Sequence, residues 1–267
     1  MKVCKWCGKE YIENKNIPDF LPDFIKEKIR FIPACDCLEK IKEKELEEME
    51  AKRQKECREN KIRKYKDISV IDKKFLSSTF DKATNEKHIQ IAKKYSEKFI
   101  LNPTRLGIIF YGDAGVGKTF TSGCIANYLM EKGKTVLIIN LGLYLAKIKS
   151  EWDKINPEEI ELNFLKSVEN VDLLIIDDFG SEKPTEFTIE KLFNLIDKRY
   201  RAEKPLIITT NLPINFDDKE KCGISKYYKL DIFGRIRDRL KEMCFPVLVS
   251  GESKRKSIEK EFYDYLY

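Results

Sequence analysis

Gly112-Asp113-Ala114-Gly115-Val116-Gly117-Lys118-Thr119 follows the apolar run Leu106–Tyr111 and opens a helix-like stretch that carries Ile125 and Leu129. The octet matches G-x-x-x-x-G-K-[ST] at every fixed position, between a strand and a helix as that motif requires. Glycines let backbone N–H groups turn inward around phosphates. The helix amino terminus adds its partial positive charge. Lys118 is therefore expected to reach the β- and γ-phosphates of a nucleotide, and Thr119 to offer its hydroxyl to Mg²⁺. Phe120 completes the nucleotide-binding stretch. A plain glycine turn would need neither the lysine nor this context.

Working outward, short apolar runs alternate with helix-like segments. The runs are Leu106–Tyr111, Thr135–Asn140, Val171–Asp177, Pro205–Thr210 and Phe245–Val249; the segments cover 117–132, 141–152, 185–202 and 225–241. Continuous Ile/Leu/Val runs read as strands buried on both faces. Their alternation with helices predicts an α/β fold with a five-stranded parallel sheet flanked by helices.

Asp177 and Asp178 close the strand Leu173-Leu174-Ile175-Ile176. Two carboxylates at the end of a buried strand are costly without a cation. The first suits Mg²⁺, directly or through water, and the second suits a base that polarises an attacking water. Strand Leu206-Ile207-Ile208-Thr209-Thr210 ends in Asn211. A polar residue there could orient water beside the γ-phosphate; Asn before Leu-Pro is equally a turn former.

Together GDAGVGKT, LLIIDDFG, IITTN and GRIRDRL resemble the helicase-loader branch of the AAA+ ATPases, the DnaC/DnaI-like group with the transposition helper IstB as a relative. The resemblance covers roughly residues 67–258. It implies ATP as the nucleotide, a Walker A motif around Lys118 and Thr119, and a Walker B pair at Asp177 and Asp178, with Asp178 in the catalytic Glu position. It implies a sensor-one role for Asn211 and an arginine finger at Arg239 acting on a neighbouring subunit, with Arg235 one helical turn earlier at the same interface. Arg255 falls where the sensor-two arginine lies. The stretch around Phe75 and Ser78-Thr79-Phe80 would lie near the adenine; aromatics there also suit plain core. An arginine supplied in trans can raise phosphoryl-transfer rates by about 10³–10⁵ and couples hydrolysis to assembly. For Arg235–Arg239 a solvated basic helix face is the simpler alternative.

The first residues have a different character. Cys4-Lys5-Trp6-Cys7-Gly8 is a knuckle-like turn, and Cys35-Asp36-Cys37 follows after 27 intervening residues. A thiolate quartet suits tetrahedral Zn²⁺; four free thiols are the other reading. The resemblance favours zinc, since DnaI-type loaders carry a small amino-terminal zinc domain that binds the replicative helicase. Ile17, Phe20, Leu21, Phe24, Ile25, Ile29, Phe31 and Ile32 exceed what so small a domain buries easily, so some are expected to face a partner. Residues 38–66, with 11 basic and 8 acidic residues and neither Gly nor Pro, read as a solvated helical linker. The expected organisation is thus 1–37 zinc-binding and helicase-contacting, 38–66 linker, and 67–267 ATPase.

The net charge is +6, from 51 basic and 45 acidic residues, so nucleic-acid contact has to come from local patches. Leu143–Lys154, with Tyr144, Lys147, Lys149, Trp152 and Lys154, suits a groove for single-stranded DNA or an ordinary amphipathic helix. Residues 219–241 hold eight Lys/Arg against three acids. No apolar run is long enough for a membrane span, and Met1–Glu10 carries no signal-peptide core; the expectation is a cytoplasmic protein. No Asn-Lys-x-Asp run for guanine occurs, which argues against a GTPase. A metabolic phosphotransferase would need an acceptor lid that is missing here. The readings that remain are an ATP-dependent, self-associating helicase loader acting on single-stranded DNA, and an IstB-like regulator of a transposase.

Overall fold

A computed structural model describes residues 2–69, 75, 77–151, 157–218, 220–227, 232–254, 262, 265 and 266. The chain forms two compact units, Met1–Arg58 and Glu59–Tyr267.

In the first unit, β1 (Tyr11–Glu13) pairs antiparallel with β2 (Phe31–Pro33), and α1 (Asp23–Ile29) lies between them in sequence. Cys4 alone is buried among this unit's described residues. A unit with so little interior cannot hold itself together by apolar burial. Helix α2 (Cys37–Ile68) then runs through the division between the units without burying a residue. Its Lys, Glu and Arg favour helix while giving no apolar stripe.

The second unit is built on a parallel sheet. Its strands are β3 (Gly107–Tyr111), β4 (Val136–Asn140), β5 (Leu173–Phe179), β6 (Leu206–Thr210) and β7 (Cys244–Leu248), in the spatial order β4-β5-β6-β3-β7. Around it lie α3 (Lys87–Leu101), α4 (Lys118–Glu131), α5 (Leu141–Glu151), α6 (Pro157–Asn170), α7 (Glu186–Arg201), α8 (Gly223–Tyr227) and α9 (Ile232–Met243). Alternate strand residues feed two cores. Ile109, Leu137, Ile139, Leu174, Ile176, Leu206 and Ile208 pack with α5, α6, α7 and α9. Ile108, Phe110, Val136, Ile138, Leu173, Ile175 and Ile207 pack with α3 and α4. Each such side chain contributes about 1.5–3 kcal/mol when fully buried.

Several local devices set this frame. Thr185 caps α7 by accepting from Thr188 N at 3.2 Å. Arg199, on α7, is wholly buried and donates to the carbonyls of Val168, Val171, Asp172 and Pro205, tying α7 to the sheet's lower end. Burial pulls its guanidinium down to about 10. At the sheet edge, Ser69 Oγ accepts from Ile138 N at 3.1 Å and donates to Tyr65 O. Ser69, just beyond α2, thus occupies a backbone donor on the edge strand β4.

The strand pattern was legible within a residue or two. The helices α3 and α6 were not. In α3 the buried face is His88, Ile89, Ala92, Ser96 and Phe99, where small and polar residues occupy stripe positions and blur the apolar period. Of the helix expected over 225–241, the described residues form α8, Gly223–Tyr227, and α9, Ile232–Met243.

Candidate functional site

Parallel strands end on one side, and the strand order brings three ends together. Tyr111 is level with Thr210 across β3–β6, while Asn140 is level with Asp177 across β4–β5. The loop after β3, the carboxylates of β5 and the polar end of β6 therefore share the crevice where open parallel sheets bind ligands.

Gly112 to Gly117 curl over this edge with Gly112, Gly115 and Gly117 at positive φ. A Cβ on Gly112 would lie 2.1 Å from Val249 O, and one on Gly115 would lie 2.3 Å from Ser253 Oγ. The loop is thus wedged against the segment after β7 and tolerates no side chain there. Asp113, Ala114 and Val116 fill its intervening positions, with Val116 buried. Gly117 adopts the left-handed conformation as N-cap of α4, which Lys118, Thr119 and Phe120 open.

Lys118 is 8% exposed, and its Nζ donates to Gly112 O, Asp113 O and Asn211 Oδ1 at 2.8, 2.6 and 2.7 Å. Those acceptors lie where phosphate oxygens would compete for the ammonium. Asp177 is also 8% exposed; its Oδ1 accepts from Thr119 Oγ1 at 3.0 Å and from Thr209 Oγ1 at 2.6 Å. A hydroxyl and a carboxylate held in contact are hard oxygen donors suited to Mg²⁺, so the residues fit a magnesium nucleotide.

Asp178 has φ of 58°, left-handed backbone at a β-bulge, and its N–H donates to Thr209 Oγ1 at 2.9 Å. Asp accepts this conformation better than most residues. Thr209 therefore braces both aspartates. Nothing in the strand Leu206–Thr210 itself marks Thr209 apart from its neighbour Thr210; the role comes from the register of β6 with β5.

The arginines of α9 divide. Arg239 Nη2 lies 2.7 Å from Asp197 Oδ1, and its guanidinium stacks on Phe193 and Tyr200 of α7. Arg235 is exposed. Arg255, Trp152 and Lys154 lie outside the described residues. Tyr144 is buried and stacks on Phe164 at 4.8 Å. It is core, so it cannot serve as a base-stacking platform; Lys147 and Lys149 of the same helix are exposed. Phe75 is core too, and Asn127 Nδ2 donates to the carbonyls of Phe75 and Ser78, tying this lead-in to α4.

The family model for IstB-like ATP binding proteins matches residues 31–261. The chain belongs to the IstB-like ATP-binding family. Within 128 aligned residues it is 30% identical to the replicative helicase loader DnaC of Buchnera aphidicola subsp. Baizongia pistaciae, covering 48% of this chain and 51% of that one. It is 31% identical over 120 residues to DnaC of Escherichia coli K12, covering 45% and 47%. The chain thus spans about half the length of these curated relatives. A crystal structure of the DnaC helicase loader superposes with a TM-score of 0.56 at 23% identity, covering 67% of this chain and all of that one. That likeness is one of fold.

This IstB-like chain also carries a second cluster. Sγ atoms of Cys4, Cys7, Cys35 and Cys37 all lie within 4.8 Å of one another. Tetrahedral zinc with Zn–S of about 2.3 Å needs sulfurs about 3.8 Å apart, so the quartet fits the ion. The first knuckle is closed by Cys4 N donating to Lys9 O and Gly8 N donating to Cys4 O. Backbone N–H groups of Trp6 and Cys7 pull the Cys4 thiol down to about 6. Hydrogen bonds with the Cys7 and Cys35 side chains push the Cys37 thiol up to about 12. Four thiolates this close need a cation to stay ionised together. Of the other cysteines, Cys57 is exposed and Cys124, Cys222 and Cys244 are buried singly. Elemental analysis of the purified chain is expected to find about one zinc per molecule. Cys35→Ser should remove most of it, whereas Cys57→Ser should leave it unchanged. Equal zinc in all three proteins would eliminate this site.

Proposed function

We propose that this protein is an ATP-dependent loader that places the replicative DNA helicase on single-stranded DNA. Residues 1–37, folded around zinc, grip the helicase; 38–66 link; 67–267 bind and hydrolyse ATP and self-associate. The observation that carries the reading is the union, in one chain, of an IstB-like nucleotide site similar to proteins named replicative helicase loaders with a cysteine-clustered unit whose aromatics stay outside. Phe20 and Phe24 are 85% and 65% exposed. Exposed aromatics on so small a unit suit a protein contact.

In the ATPase cycle, Lys118 exchanges its present acceptors for β- and γ-phosphate oxygens. Mg²⁺, when bound, neutralises phosphate charge and would be held by Thr119 and Asp177. Asp178 accepts the proton of the attacking water, and Asn211, released from Lys118, orients that water. Asp is one methylene shorter than Glu, which favours slow or DNA-stimulated turnover. Lys147 and Lys149 offer phosphate contacts to a single strand.

Capture of the helicase from the same source, with ATP present, tests the loader reading. The native chain should retain the helicase and deposit it on single-stranded DNA. Phe20→Asp and Phe24→Asp should lose capture while ATP binding persists. Failure of the native chain to capture helicase while it still binds ATP would move the reading to an IstB-like regulator of a transposase.

Two of the three arginines of α9, Arg235 and Arg239, separate by their surroundings. Arg239 already has a partner and two rings within its own subunit, so Arg235 is the better placed to reach ATP on a neighbour. Arg235→Ala should lower ATP turnover by at least about tenfold without changing Tm, given the size of in-trans arginine effects. Arg239→Ala should lower Tm. The opposite pattern would return the finger to Arg239.

A further inference from the structure

Two segments meet beside the phosphate loop. One is Thr84–Glu86, just before α3. The other is Ser253–Lys254, beyond β7. Lys254 N donates to Gly115 O at 3.0 Å. Its side chain then crosses the loop: a Cβ built on Gly117 would lie 3.7 Å from both Lys254 Cδ and Nζ. The ammonium ends 2.7 Å from Glu86 Oε1 and 3.2 Å from Thr84 Oγ1. Thr84 Oγ1 in turn donates to Glu86 Oε1 at 2.8 Å. The Lys254 hydrogen bond is the main reason the Glu86 carboxyl sits below its ordinary range.

This ion pair has a peculiar address. A cation held against the loop that binds phosphates is well placed for polyphosphate, yet here it is held by a carboxylate, the group that a polyphosphate most repels. Side-chain exposures of 41% for Lys254 and 36% for Glu86 leave the pair half in solvent. Pairs so exposed are weak, whereas an ammonium-to-phosphate hydrogen bond is charge-assisted and short. If Lys254 leaves, Glu86 keeps Thr84 Oγ1 as a donor and has His88 Nε2 at 3.4 Å.

We propose that Lys254 is a phosphate ligand of the bound nucleotide, and that Glu86 holds it in reserve across the loop until nucleotide arrives. The proposal rests on the ATP-site reading above. Glu86 sets a threshold for binding: ligands with two or three phosphates displace it, and ligands with none do not. The ion pair ties the segment after β7 to the segment before α3, so nucleotide binding releases that tie.

Fluorescence titration of the full chain with a fluorescent ATP analogue, and competition by ADP and adenosine, tests this. Lys254→Met should weaken ATP and ADP binding by about tenfold, the worth of one charge-assisted hydrogen bond at a half-exposed site, and leave adenosine competition unchanged. Glu86→Gln should tighten ATP binding several-fold. In the Lys254→Met background the Glu86→Gln gain should shrink, because the two residues act through one another. Weakening by both single substitutions, accompanied by a lower Tm, would make the pair a structural clasp and overturn the proposal. Unchanged affinity in Lys254→Met would do the same. Lys118→Ala separates this outcome from failure of the underlying reading: if it binds the analogue as well as the native chain does, the loop is not the nucleotide site at all.

Discussion

A lysine and an aspartate, each about nine-tenths withdrawn from water, face one crevice at the end of a parallel sheet. Burying both charges is expensive unless each has a partner of the right kind. Lys118 draws on two loop carbonyls and Asn211; Asp177 draws on two hydroxyls. A magnesium polyphosphate meets both demands at once. The surrounding architecture can be traced back to this requirement. Left-handed glycines shape the loop, the strand order sets β6 between β3 and β5, and Thr209 fixes the two carboxylates.

The same economy explains why the site is sensitive to its margins. The segment after β7 lies so close to Gly112 and Gly115 that a methyl group on either would collide with it. Phe75 and Ser78 of the lead-in are pinned to α4 by Asn127. Loop, lead-in and trailing segment therefore act as one packed assembly, the kind of close-packed contact that passes small displacements along instead of absorbing them. The first unit works on a different principle. With Cys4 its one buried described residue, it has thiol chemistry where a larger domain would have a core.

Much of this was legible in the chain itself, for reasons that differ by element. The strands announced themselves because both faces of the sheet are covered, so Leu173–Ile176 and Leu206–Ile208 carry no polar interruption. The phosphate loop was legible because glycine, lysine and threonine at fixed spacing leave few other uses. Helix α3 hid because Ala92 and Ser96 lie on its buried face without hydrophobic bulk. Thr209 hid because its role depends on register with β5, which no local pattern encodes. The distinction between Arg235 and Arg239 hid for a related reason: both lie on α9, and only the packing of Phe193, Asp197 and Tyr200 of α7 tells them apart. Tyr144 looked like a possible base-stacking ring in sequence and is a core ring in the fold.

On the function proposed above, the buried Lys118 and Asp177 are a matched receptor for a magnesium polyphosphate. Calorimetric titration of the chain with ATP, with and without Mg²⁺, paired with Asp177→Asn, puts this to the test. Mg²⁺ should strengthen ATP binding in the native chain, and Asp177→Asn should lose that Mg²⁺ dependence at unchanged fold. Binding indifferent to Mg²⁺ in the native chain, or a Mg²⁺ dependence that survives Asp177→Asn, would contradict it.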